Sequence, residues 1–440
     1  MDRRNFLKNS TFGLIGTGFY RQEKNLPQVK KKEGGTVKIK EYRTLGRTGF
    51  KVSDICSGTP DNVLVLNALL DAGVNYIDTA ESYLRGRSEE IVGEAIKERD
   101  RKSIFITTKL HICYGRGKIQ KEDITKAGIL KRFYKCLERM QTDYVDCLMI
   151  HGADTVEIFQ SESFHAAAEQ LKKEGHLRFI GVSHHGKQGA RVPEGPMDRA
   201  LIAAAEDGRF DVMLIAYNFL KQDQSENVLR ICKEKNIGTI LMKTNPVRNY
   251  FFAKELIDKL NKEGKQVPER TQQFMKEFQA KYDLAQTFLK EYNLNNKNEI
   301  RDASIRFCLT NPNADAVCIS FYNFSDVKDY LKLSGTRLIP RDTMTLASYA
   351  KYCGSFYCRH ACGLCESYCP YQVPINTIMR YNHYFEAQGR KKYAMELYAG
   401  LSSAKADLCI TCDGLCEAAC PYNVSIHGLL ICAHNNLALT

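Results

Sequence analysis

The chain has 440 residues, 44% of them hydrophobic, and a formal net charge of +12 at pH 7. This length suggests two or three domains, and the apolar content is ample for a sizeable core. The first 40 residues hold ten Lys and Arg against three Asp and Glu. Most of the positive charge is therefore a basic tail, and the remainder of the chain does not suggest a nucleic-acid partner. No apolar run approaches the roughly 18 residues that a membrane-spanning helix needs.

Residues 1–35 are similar to a twin-arginine export signal followed by a polar tether. Arg3 and Arg4 precede Phe6-Leu7-Lys8 and a mildly apolar stretch, as in signals that export folded proteins. The pattern favours a periplasmic or otherwise exported protein. An ordinary basic N-terminus is the alternative, and it would leave the protein in the cytoplasm.

From residue 36 to about residue 335, strand and helix signals alternate as a βα barrel requires. After an N-terminal hairpin, the candidate strands are Val52–Ser57, Asn75–Asp78, Ile104–Lys109, Val145–His151, Arg178–Val182, Val212–Ala216, Thr239–Lys243 and Ala316–Ser320. Helical periodicity lies between them, for example over Ile124–Met140. These eight strands favour an α/β protein built on a (β/α)8 TIM barrel.

One long insertion, residues 250–299, interrupts this alternation between the seventh strand and the helix Arg301–Phe307. It is charged, rich in lysine and largely helical in pattern. Because loops after strands form the catalytic face of a barrel, we expect the insertion over or beside the pocket. A surface excursion, or a pad for the following domain, is the alternative.

Three short apolar runs in the first third of the chain end in side chains that handle protons. They supply Asp78 with Tyr83 shortly after it, Lys109, and His151. Each run is typical of a parallel strand that carries a reactive group at its C-terminal end, which is how a TIM barrel builds an active site. Taken alone, each side chain has a structural reading, such as a helix cap or a core histidine. Together they are expected on one rim.

The chemistry open to these four side chains follows from their acidities. When a hydride reaches a carbonyl carbon, the oxygen must take a proton, and a free tyrosine with a pKa of about 10 releases its proton reluctantly near neutral pH. An ammonium beside the phenol favours phenolate, and a buried aspartate keeps that ammonium charged. Tyr83 is thus the predicted acid/base, and Lys109 is predicted to lower its pKa. Asp78 is predicted to keep Lys109 charged and in position, and His151 can hydrogen-bond the substrate oxygen.

From about residue 36 to about residue 333 the chain resembles the aldo-keto reductases. The matching segments are Asp-Thr-Ala-x-x-Tyr ending at Tyr83, the strand-end Lys109, Asp-Tyr-Val-Asp-x-Leu-x-x-His ending at His151, the stretch from Tyr42 to Ser53, and Gly-Val-Ser ending at Ser183. The resemblance implies a (β/α)8 barrel that uses NADP or NAD without a Rossmann domain. It also implies a tetrad of Asp, Tyr, Lys and His acting on a small carbonyl or alcohol substrate.

The same resemblance implies cofactor contacts, and the chain departs from the family at several of them. The implied contacts are Gly58, Thr59, Ser183, His184, Tyr217, Lys243, Ser320 and Asn323. His184 stands where the family usually has Asn, and Leu214 where it usually has Gln. The stretch from Ser320 to Ser325 carries no cation, whereas relatives often place a basic residue there for the adenosine phosphate. The choice between NADP and NAD therefore stays open.

Eight of the seventeen cysteines fall into two C-terminal repeats. They read Cys358-x3-Cys362-x2-Cys365-x3-Cys369-Pro and Cys409-x2-Cys412-x3-Cys416-x3-Cys420-Pro. Both repeats continue with Tyr-x-Val, which indicates an internal duplication. Thiolates at this spacing wrap an iron–sulfur cube, and the Cys-Pro endings are typical of bacterial ferredoxins. Zinc, which four cysteines bind tetrahedrally, is the competing metal.

In the ferredoxin pattern the fourth cysteine of each run crosses to the other cluster. We therefore expect two [4Fe–4S] clusters, one held by Cys358, Cys362, Cys365 and Cys420 and the other by Cys409, Cys412, Cys416 and Cys369. Residues 336–440 are predicted to form a mainly α, ferredoxin-like iron–sulfur domain. The nine remaining cysteines are scattered singly, which indicates small buried hydrophobes rather than a disulfide framework.

Together these features predict an exported oxidoreductase that moves a hydride between a nicotinamide cofactor and a carbonyl or alcohol carbon. Clusters pass single electrons and nicotinamide passes pairs, so the clusters are either structural or exchange electrons with an external redox partner. The alternative is an iron–sulfur electron-transfer or docking protein whose barrel has lost hydride chemistry, as Leu214 and the altered loop after the eighth strand suggest. A redox-sensing regulator is a third reading.

Overall fold

The computed structural model describes residues 37–440 except 114–118, 153–155, 185–196, 247–275, 277–279, 281–282, 288, 291–296, 361, 387, 402–403 and 439–440. The chain divides into two units, Met1–Thr36 and Val37–Thr440. The predicted export signal and most of the predicted insertion therefore lie outside the described residues. Within the described part of the chain, no helix is both long and apolar enough to cross a bilayer.

Eight parallel strands form a closed barrel. They are β3 Ile55–Gly58, β4 Tyr76–Asp78, β5 Phe105–Leu110, β6 Val145–His151, β7 Leu177–His184, β8 Val212–Ala216, β9 Gly238–Met242 and β10 Ala316–Ile319, and β10 pairs with both β3 and β9. Apart from Arg178, Phe179 and Cys318, every residue of these strands is buried. This is typical of parallel strands covered on both faces, and it confirms the predicted barrel.

An antiparallel hairpin of β1 Tyr42–Thr44 and β2 Lys51–Ser53 precedes the barrel. The predicted first strand, Val52–Ser57, is thus wrong in one respect, because its first two residues belong to the hairpin and Asp54 separates them from β3. The buried Asp54 carboxylate accepts hydrogen bonds from the Ser334 hydroxyl and the Gly335 amide, both at 2.7 Å. These bonds join the start of the barrel to its end.

Helices pack around the barrel between the strands. In the described residues they are α1 Val63–Asp71, α2 Arg87–Ile96, α3 Lys126–Met140, α4 Val156–Phe159, α5 Glu162–Lys173, α6 Met197–Asp207, α7 Asp223–Glu234, α8 Lys297–Thr310 and α9 Phe324–Leu331. Helix α3 begins later than the predicted Ile124, because Thr125 is its N-cap and its hydroxyl accepts a hydrogen bond from the Gly128 amide at 3.1 Å.

The C-terminal segment is helical and has a core of its own. Its helices are α10 Pro340–Cys353, α11 Ile375–Glu386, α12 Lys391–Ala399, α13 Leu415–Ala418 and α14 Ile426–Leu437. The barrel residues Phe219, Leu220, Ile300 and Ala303 contribute to this second core. Helices α11 and α12 lie between the two cysteine repeats in the sequence, and the domain boundary at residue 335 stays a prediction.

The described part of the insertion also belongs to the second core. Ala285 and Leu289 are buried there among side chains of the C-terminal helices. For these two residues, the contact agrees with the alternative that the insertion packs against the following domain.

The helical segment lies over the C-terminal ends of the barrel strands. Just after β8, the Asn218 amide nitrogen lies 3.2 Å from the Tyr357 hydroxyl, and the Arg359 guanidinium donates to the Leu220 carbonyl at 3.2 Å. An exposed ion pair joins Arg85 to Glu396 at 2.6 Å. Such exposed pairs contribute about 0–1 kcal/mol, so the shared apolar core holds the two parts together more strongly than this pair does.

Candidate active site

The four predicted catalytic side chains come together at the mouth of the barrel. Asp78, Lys109 and His151 stand at or next to the C-terminal ends of the neighbouring strands β4, β5 and β6. Tyr83 follows β4 in a short 3-10 turn. Parallel strands end at the same rim, which is why residues far apart in sequence meet here.

Lys109 connects the other members of the group. Its ammonium donates hydrogen bonds to Asp78 Oδ2 at 2.6 Å, to the Thr79 carbonyl at 2.8 Å and to the Tyr83 hydroxyl at 3.3 Å. The lysine side chain is fully buried. Burial raises the pKa of Asp78, and the adjacent ammonium opposes that rise. A lysine ammonium has three N–H groups. Two of them donate to the carboxylate and the carbonyl, and the third points to the phenol.

The phenol of Tyr83 does not have the lowered pKa that the sequence suggests. Burial raises the pKa of Tyr83 well above its ordinary value of 10.0, and the negative charge of Asp78 raises it further. Tyr83 therefore carries its proton at neutral pH, which suits donation to a carbonyl oxygen.

His151 borders the phenol and is supported by a histidine that the sequence analysis missed. The Tyr83 and His151 rings meet edge to face with centroids 5.5 Å apart. The His111 ring stacks on His151 at 4.2 Å, and His111 Nδ1 lies 2.9 Å from the His151 carbonyl. His111 stands just past the end of β5, two positions beyond Lys109. Its place at a strand end was the available signal.

The backbone after Tyr83 is strained. Leu84 and Arg85 have φ values of +51° and +57°, in the left-handed region that non-glycine residues rarely adopt. Two such residues in succession cost about 1–3 kcal/mol each unless the surrounding structure holds them. The conformation turns the chain sharply into α2, which leaves Tyr83 at the mouth while Arg85 points outward to Glu396.

Several predicted cofactor contacts lie on the same rim. A Cβ atom added to Gly58, at the end of β3, would come within 2.8 Å of the Cys318 sulfur, so this close approach requires glycine. The next residue, Thr59, donates its amide to the Asp78 carbonyl at 2.9 Å. Ser183 lies opposite His151 in the β6–β7 register, and its hydroxyl lies 3.4 Å from the Ile150 carbonyl.

Lys243 and Asn323 lie at the ends of β9 and β10. Lys243 directly follows β9 with a φ of +59°, and its carbonyl accepts a hydrogen bond from the Asn218 amide at 2.8 Å. Ser320 directly follows β10 and is partly buried. The Asn323 side chain caps α9 by accepting from the Asp326 amide at 2.9 Å.

Tyr217 is not brought to the mouth. Its ring stacks on Phe307 of α8 with centroids 5.4 Å apart, and its hydroxyl hydrogen-bonds Glu226 of α7. The side chain therefore lies between the barrel wall and the outer helices. His184, in contrast, is buried at the end of β7, beside Ile215 of β8.

The eight C-terminal cysteines are buried or partly buried, and several of their thiols act on one another's pKa. Burial raises the pKa of the Cys358 thiol first, and the other thiols that raise it are Cys365, Cys362 and Cys420. Burial likewise raises the pKa of Cys409 to about 12, with Cys416, Cys369 and Cys412 as the contributing thiols. Cys416, which the sequence assigns to the second set, also raises the pKa of Cys365 in the first, so the assignment of cysteines to two crossed sets stays a prediction. No group of three His, Cys, Asp or Glu side chains in the described chain is arranged to hold a single metal ion.

A cavity opens at the first of these sets. It has an empty volume of about 350 Å³ and is lined by Cys358, Cys362, Cys365, Cys420, Pro421 and Tyr422, among others. The Asn376 amide nitrogen lies 3.7 Å from the Cys358 sulfur and donates to the Arg359 carbonyl at 2.7 Å. Four cysteines are the number that the predicted iron–sulfur cluster requires, and the cluster itself stays a prediction.

Comparisons with known proteins agree with the barrel site. The Aldo/keto reductase family profile matches residues 59–349. The uncharacterized oxidoreductase YqkF of Bacillus subtilis is 38% identical over 149 residues, which cover 32% of this chain and 48% of that protein. The NADH-specific methylglyoxal reductase of Escherichia coli is 28% identical over 224 residues, which cover 48% of this chain and 65% of that protein. The chain thus spans about half to two thirds of the length of these two relatives.

A solved structure shows the same fold. The aldo-keto reductase AKR11C1 from Bacillus halodurans in its holo form superposes with a TM-score of 0.50 at 21% identity, covering 70% of this chain and 95% of that chain. Since the family profile spans most of the barrel and all four rim side chains, the chain belongs to the aldo/keto reductase family.

Proposed function

We propose that the protein is an NAD(P)-dependent oxidoreductase that transfers a hydride between a nicotinamide cofactor and the carbonyl or alcohol carbon of a small molecule. The observation that carries this proposal is the buried Lys109 ammonium, placed between the Asp78 carboxylate and the Tyr83 hydroxyl at the barrel mouth. Gly58, at the end of β3, and Ser183, opposite His151, are predicted cofactor contacts that lie on the same rim, which supports a nucleotide there.

Each side chain of the site has a separate role in proton transfer. When bound, nicotinamide supplies or accepts the hydride. Tyr83 donates its proton to the oxygen on which negative charge develops during reduction. Lys109 stabilises the phenolate that remains, and Asp78 holds Lys109 in position. His151, beside the phenol, can hydrogen-bond the same oxygen and orient the substrate.

The raised pKa of Tyr83 predicts different pH profiles for the two directions of reaction. Reduction needs the protonated phenol, which persists at least to pH 10 because the pKa lies above that value. The kcat for reduction should therefore stay flat between about pH 7 and 9, whereas kcat for alcohol oxidation, which needs phenolate, should rise about tenfold per pH unit. Steady-state kinetics in both directions test this. A fall in reduction with an apparent pKa near about 8 would contradict it.

We further propose that NADH is preferred over NADPH. Relatives often place a cation after the eighth strand for the adenosine phosphate, but here the Asp326 carboxylate occupies the start of α9 and accepts from the Tyr322 amide at 2.9 Å. A second anion beside this carboxylate is repelled.

The expected preference for NADH in kcat/KM is about tenfold, which corresponds to about 1.4 kcal/mol. Asp326→Asn keeps an oxygen acceptor for Tyr322 and removes the charge, so it should raise the relative efficiency with NADPH several-fold. Asp329→Asn, on the same helix and paired with Arg301, is the matched control. Equal use of both nucleotides by the unmodified protein would refute the preference.

The C-terminal segment is proposed to carry two [4Fe–4S] clusters in a ferredoxin-like domain. The grouping of Cys358 with Cys420 and of Cys409 with Cys369 supports this. Since each cluster passes one electron at a time, an external redox partner is the proposed source or acceptor of electrons if the clusters are redox-active. Anaerobic purification with iron analysis and a visible spectrum before and after reduction tests the proposal.

We also propose that the protein is exported from the cytoplasm through the twin-arginine route. Arg3 and Arg4 carry this proposal, and clusters assembled before export agree with a route that moves folded proteins. An exported enzyme would need a tightly held nucleotide that is recycled in place. Cell fractionation of the protein and of a variant with both arginines replaced by lysine tests the route, and unchanged location of the variant would refute it.

A further inference from the structure

The ring of His151 contacts two other aromatic rings at the barrel mouth. The ring of His111, which follows β5, lies parallel to it, with an interplanar angle of 7° and centroids 4.2 Å apart. The Tyr83 ring meets it edge to face at 84°, with centroids 5.5 Å apart. Rings at these separations are already in contact, so a rotation of the His151 side chain would bring its ring against these neighbours. His111 therefore limits the orientations open to a side chain that is proposed to bind the substrate oxygen.

A hydrogen bond fixes His111 against the backbone of the same residue. His111 Nδ1 lies 2.9 Å from the His151 carbonyl oxygen. A carbonyl oxygen only accepts hydrogen bonds, so His111 Nδ1 carries a proton and is the donor. The stack and the hydrogen bond thus join His111 to both the ring and the backbone of one partner. Together they fix the planes of the two rings relative to the end of β6.

The backbone of His111 is joined to the loop that carries Tyr83. The His111 amide donates to Glu81 Oε1 at 3.4 Å, and the Glu81 amide donates to the Lys109 carbonyl at 3.3 Å. The Glu81 carboxylate also forms an ion pair with Arg132 of α3, and both side chains are mostly buried. The loop after β4 and the end of β5 are therefore held together, and the position of the His111 ring does not depend on the stack alone.

The partial exposure of His111 separates a positioning role from a packing role. His111 is partly exposed, whereas Phe105 and Lys109 of the preceding strand are fully buried. Because hydrophobic stabilisation grows with the apolar area removed from water, truncating a partly exposed ring costs less stability than truncating a buried one. A packing role therefore predicts a modest loss of stability with turnover unchanged, and a positioning role predicts a loss of turnover.

We propose that His111 is a positioning residue for His151, and that its stacked ring and its Nδ1–H hold His151 where it can hydrogen-bond the substrate oxygen. This inference rests on the proposed function and adds a residue to that site. Catalytic groups act within a narrow range of distance and angle, and a displacement of about 1 Å can lower a rate about 100-fold. Loss of His111 should therefore lower kcat and leave the affinity for the nucleotide unchanged.

The first experiment separates the two contacts of His111 in the full-length protein, with 4-nitrobenzaldehyde and NADH as substrates. His111→Ala removes both contacts, His111→Phe keeps a flat ring, and His111→Asn keeps a side-chain N–H near the position of Nδ1. His111→Ala should lower kcat roughly 10- to 100-fold at an unchanged dissociation constant for NADH, and the other two variants should each restore part of the loss. A kcat in His111→Ala within about twofold of the unmodified value would overturn the proposal. If this variant does not fold, an unchanged kcat in both other variants overturns it.

His176 provides the matched control. His176 Nδ1 lies 2.6 Å from the Asp143 carbonyl oxygen, and its ring meets the Tyr134 ring edge to face with centroids 5.7 Å apart. His176 directly precedes β7, so it lies at the end of the barrel opposite the mouth. His176→Ala removes the same two kinds of contact and should leave kcat unchanged. If His176→Ala and His111→Ala lower kcat equally, the loss is a general effect on the fold and the proposal is wrong.

The second experiment observes His151 without catalysis. In full-length protein with isotope-labelled histidine and tyrosine, the His151 and Tyr83 rings should show a nuclear Overhauser effect, which is identified by its loss in His151→Gln. This signal should weaken in His111→Ala and persist in His176→Ala. Its absence from the unmodified protein, or its full intensity in His111→Ala, would overturn the proposal. If the signal behaves as expected but the unmodified protein reduces no aldehyde, the positioning of His151 stands and the proposed function fails.

Discussion

Replacing Tyr83 with Phe should lower the rate of carbonyl reduction by about 10²- to 10⁴-fold, the usual contribution of a positioned general acid. The substitution removes the hydroxyl that lies 3.3 Å from the Lys109 ammonium and leaves the Lys109–Asp78 pair in place. The fold should therefore survive, and the loss should appear in kcat rather than in nucleotide affinity. Steady-state kinetics together with a nucleotide titration measure both quantities.

A matched control distinguishes this effect from the loss of any phenol. Tyr134 is exposed on α3 and hydrogen-bonds Glu174, so Tyr134→Phe removes a hydroxyl far from the rim and should leave turnover unchanged. If Tyr83→Phe retains the full rate of carbonyl reduction, Tyr83 is not the general acid and the proposed mechanism is refuted. If the unmodified protein reduces no carbonyl compound with NADH or NADPH, the electron-transfer alternative becomes the better interpretation.

Replacing Cys420 with Ala should remove the cluster of the first cysteine repeat, although Cys420 belongs to the second. In the structure Cys420 is a neighbour of Cys358 and lines the cavity that contains Cys362 and Cys365. Anaerobic iron analysis should fall from about eight to about four atoms per chain. The melting temperature should fall as well, because apolar helices such as α11 and α14 pack around the cysteine groups.

The control for this prediction is Cys353→Ala. Cys353 is buried at the end of α10, and burial raises the pKa of its thiol to about 12 with no other cysteine among the causes. This variant should keep its full iron content. If Cys420→Ala also keeps its iron, or if zinc is found in place of iron, the crossed arrangement of two clusters is refuted.

The features that the sequence predicted well depend on short-range patterns. Asp78, Lys109 and His151 end apolar strands, and the parallel order of a barrel brings such ends together whatever the details of packing. For these residues a local signal combined with the parallel order of the barrel is sufficient. The duplicated Cys-Pro repeats carry their own spacing, but the two clusters that this spacing predicts stay a prediction.

The features that could not be predicted from the sequence depend on tertiary contacts. Tyr217 directly follows β8, and its side chain takes the outward position because consecutive residues of a strand alternate between the two faces. The pKa of Tyr83 is raised rather than lowered, because burial is the largest influence on it. Tyr384 lies with its ring centre 5.3 Å from the Lys243 ammonium, just after β9, only because α11 lies over the end of that strand. No periodicity in the chain records that placement.

The second core is shared between the barrel and the C-terminal helices, so it can form only after both have been synthesised. Phe219 and Leu220, from the loop after β8, and Ile300 and Ala303 of α8 complete the core of the C-terminal helices. Those helices are synthesised after the barrel, so until they arrive the barrel exposes an apolar patch that favours aggregation. The proposed clusters can be loaded only after Cys420, the last of their predicted ligands in sequence order, has left the ribosome. During this interval, a chaperone or a cluster-loading factor that binds the patch would protect the newly made barrel from aggregation.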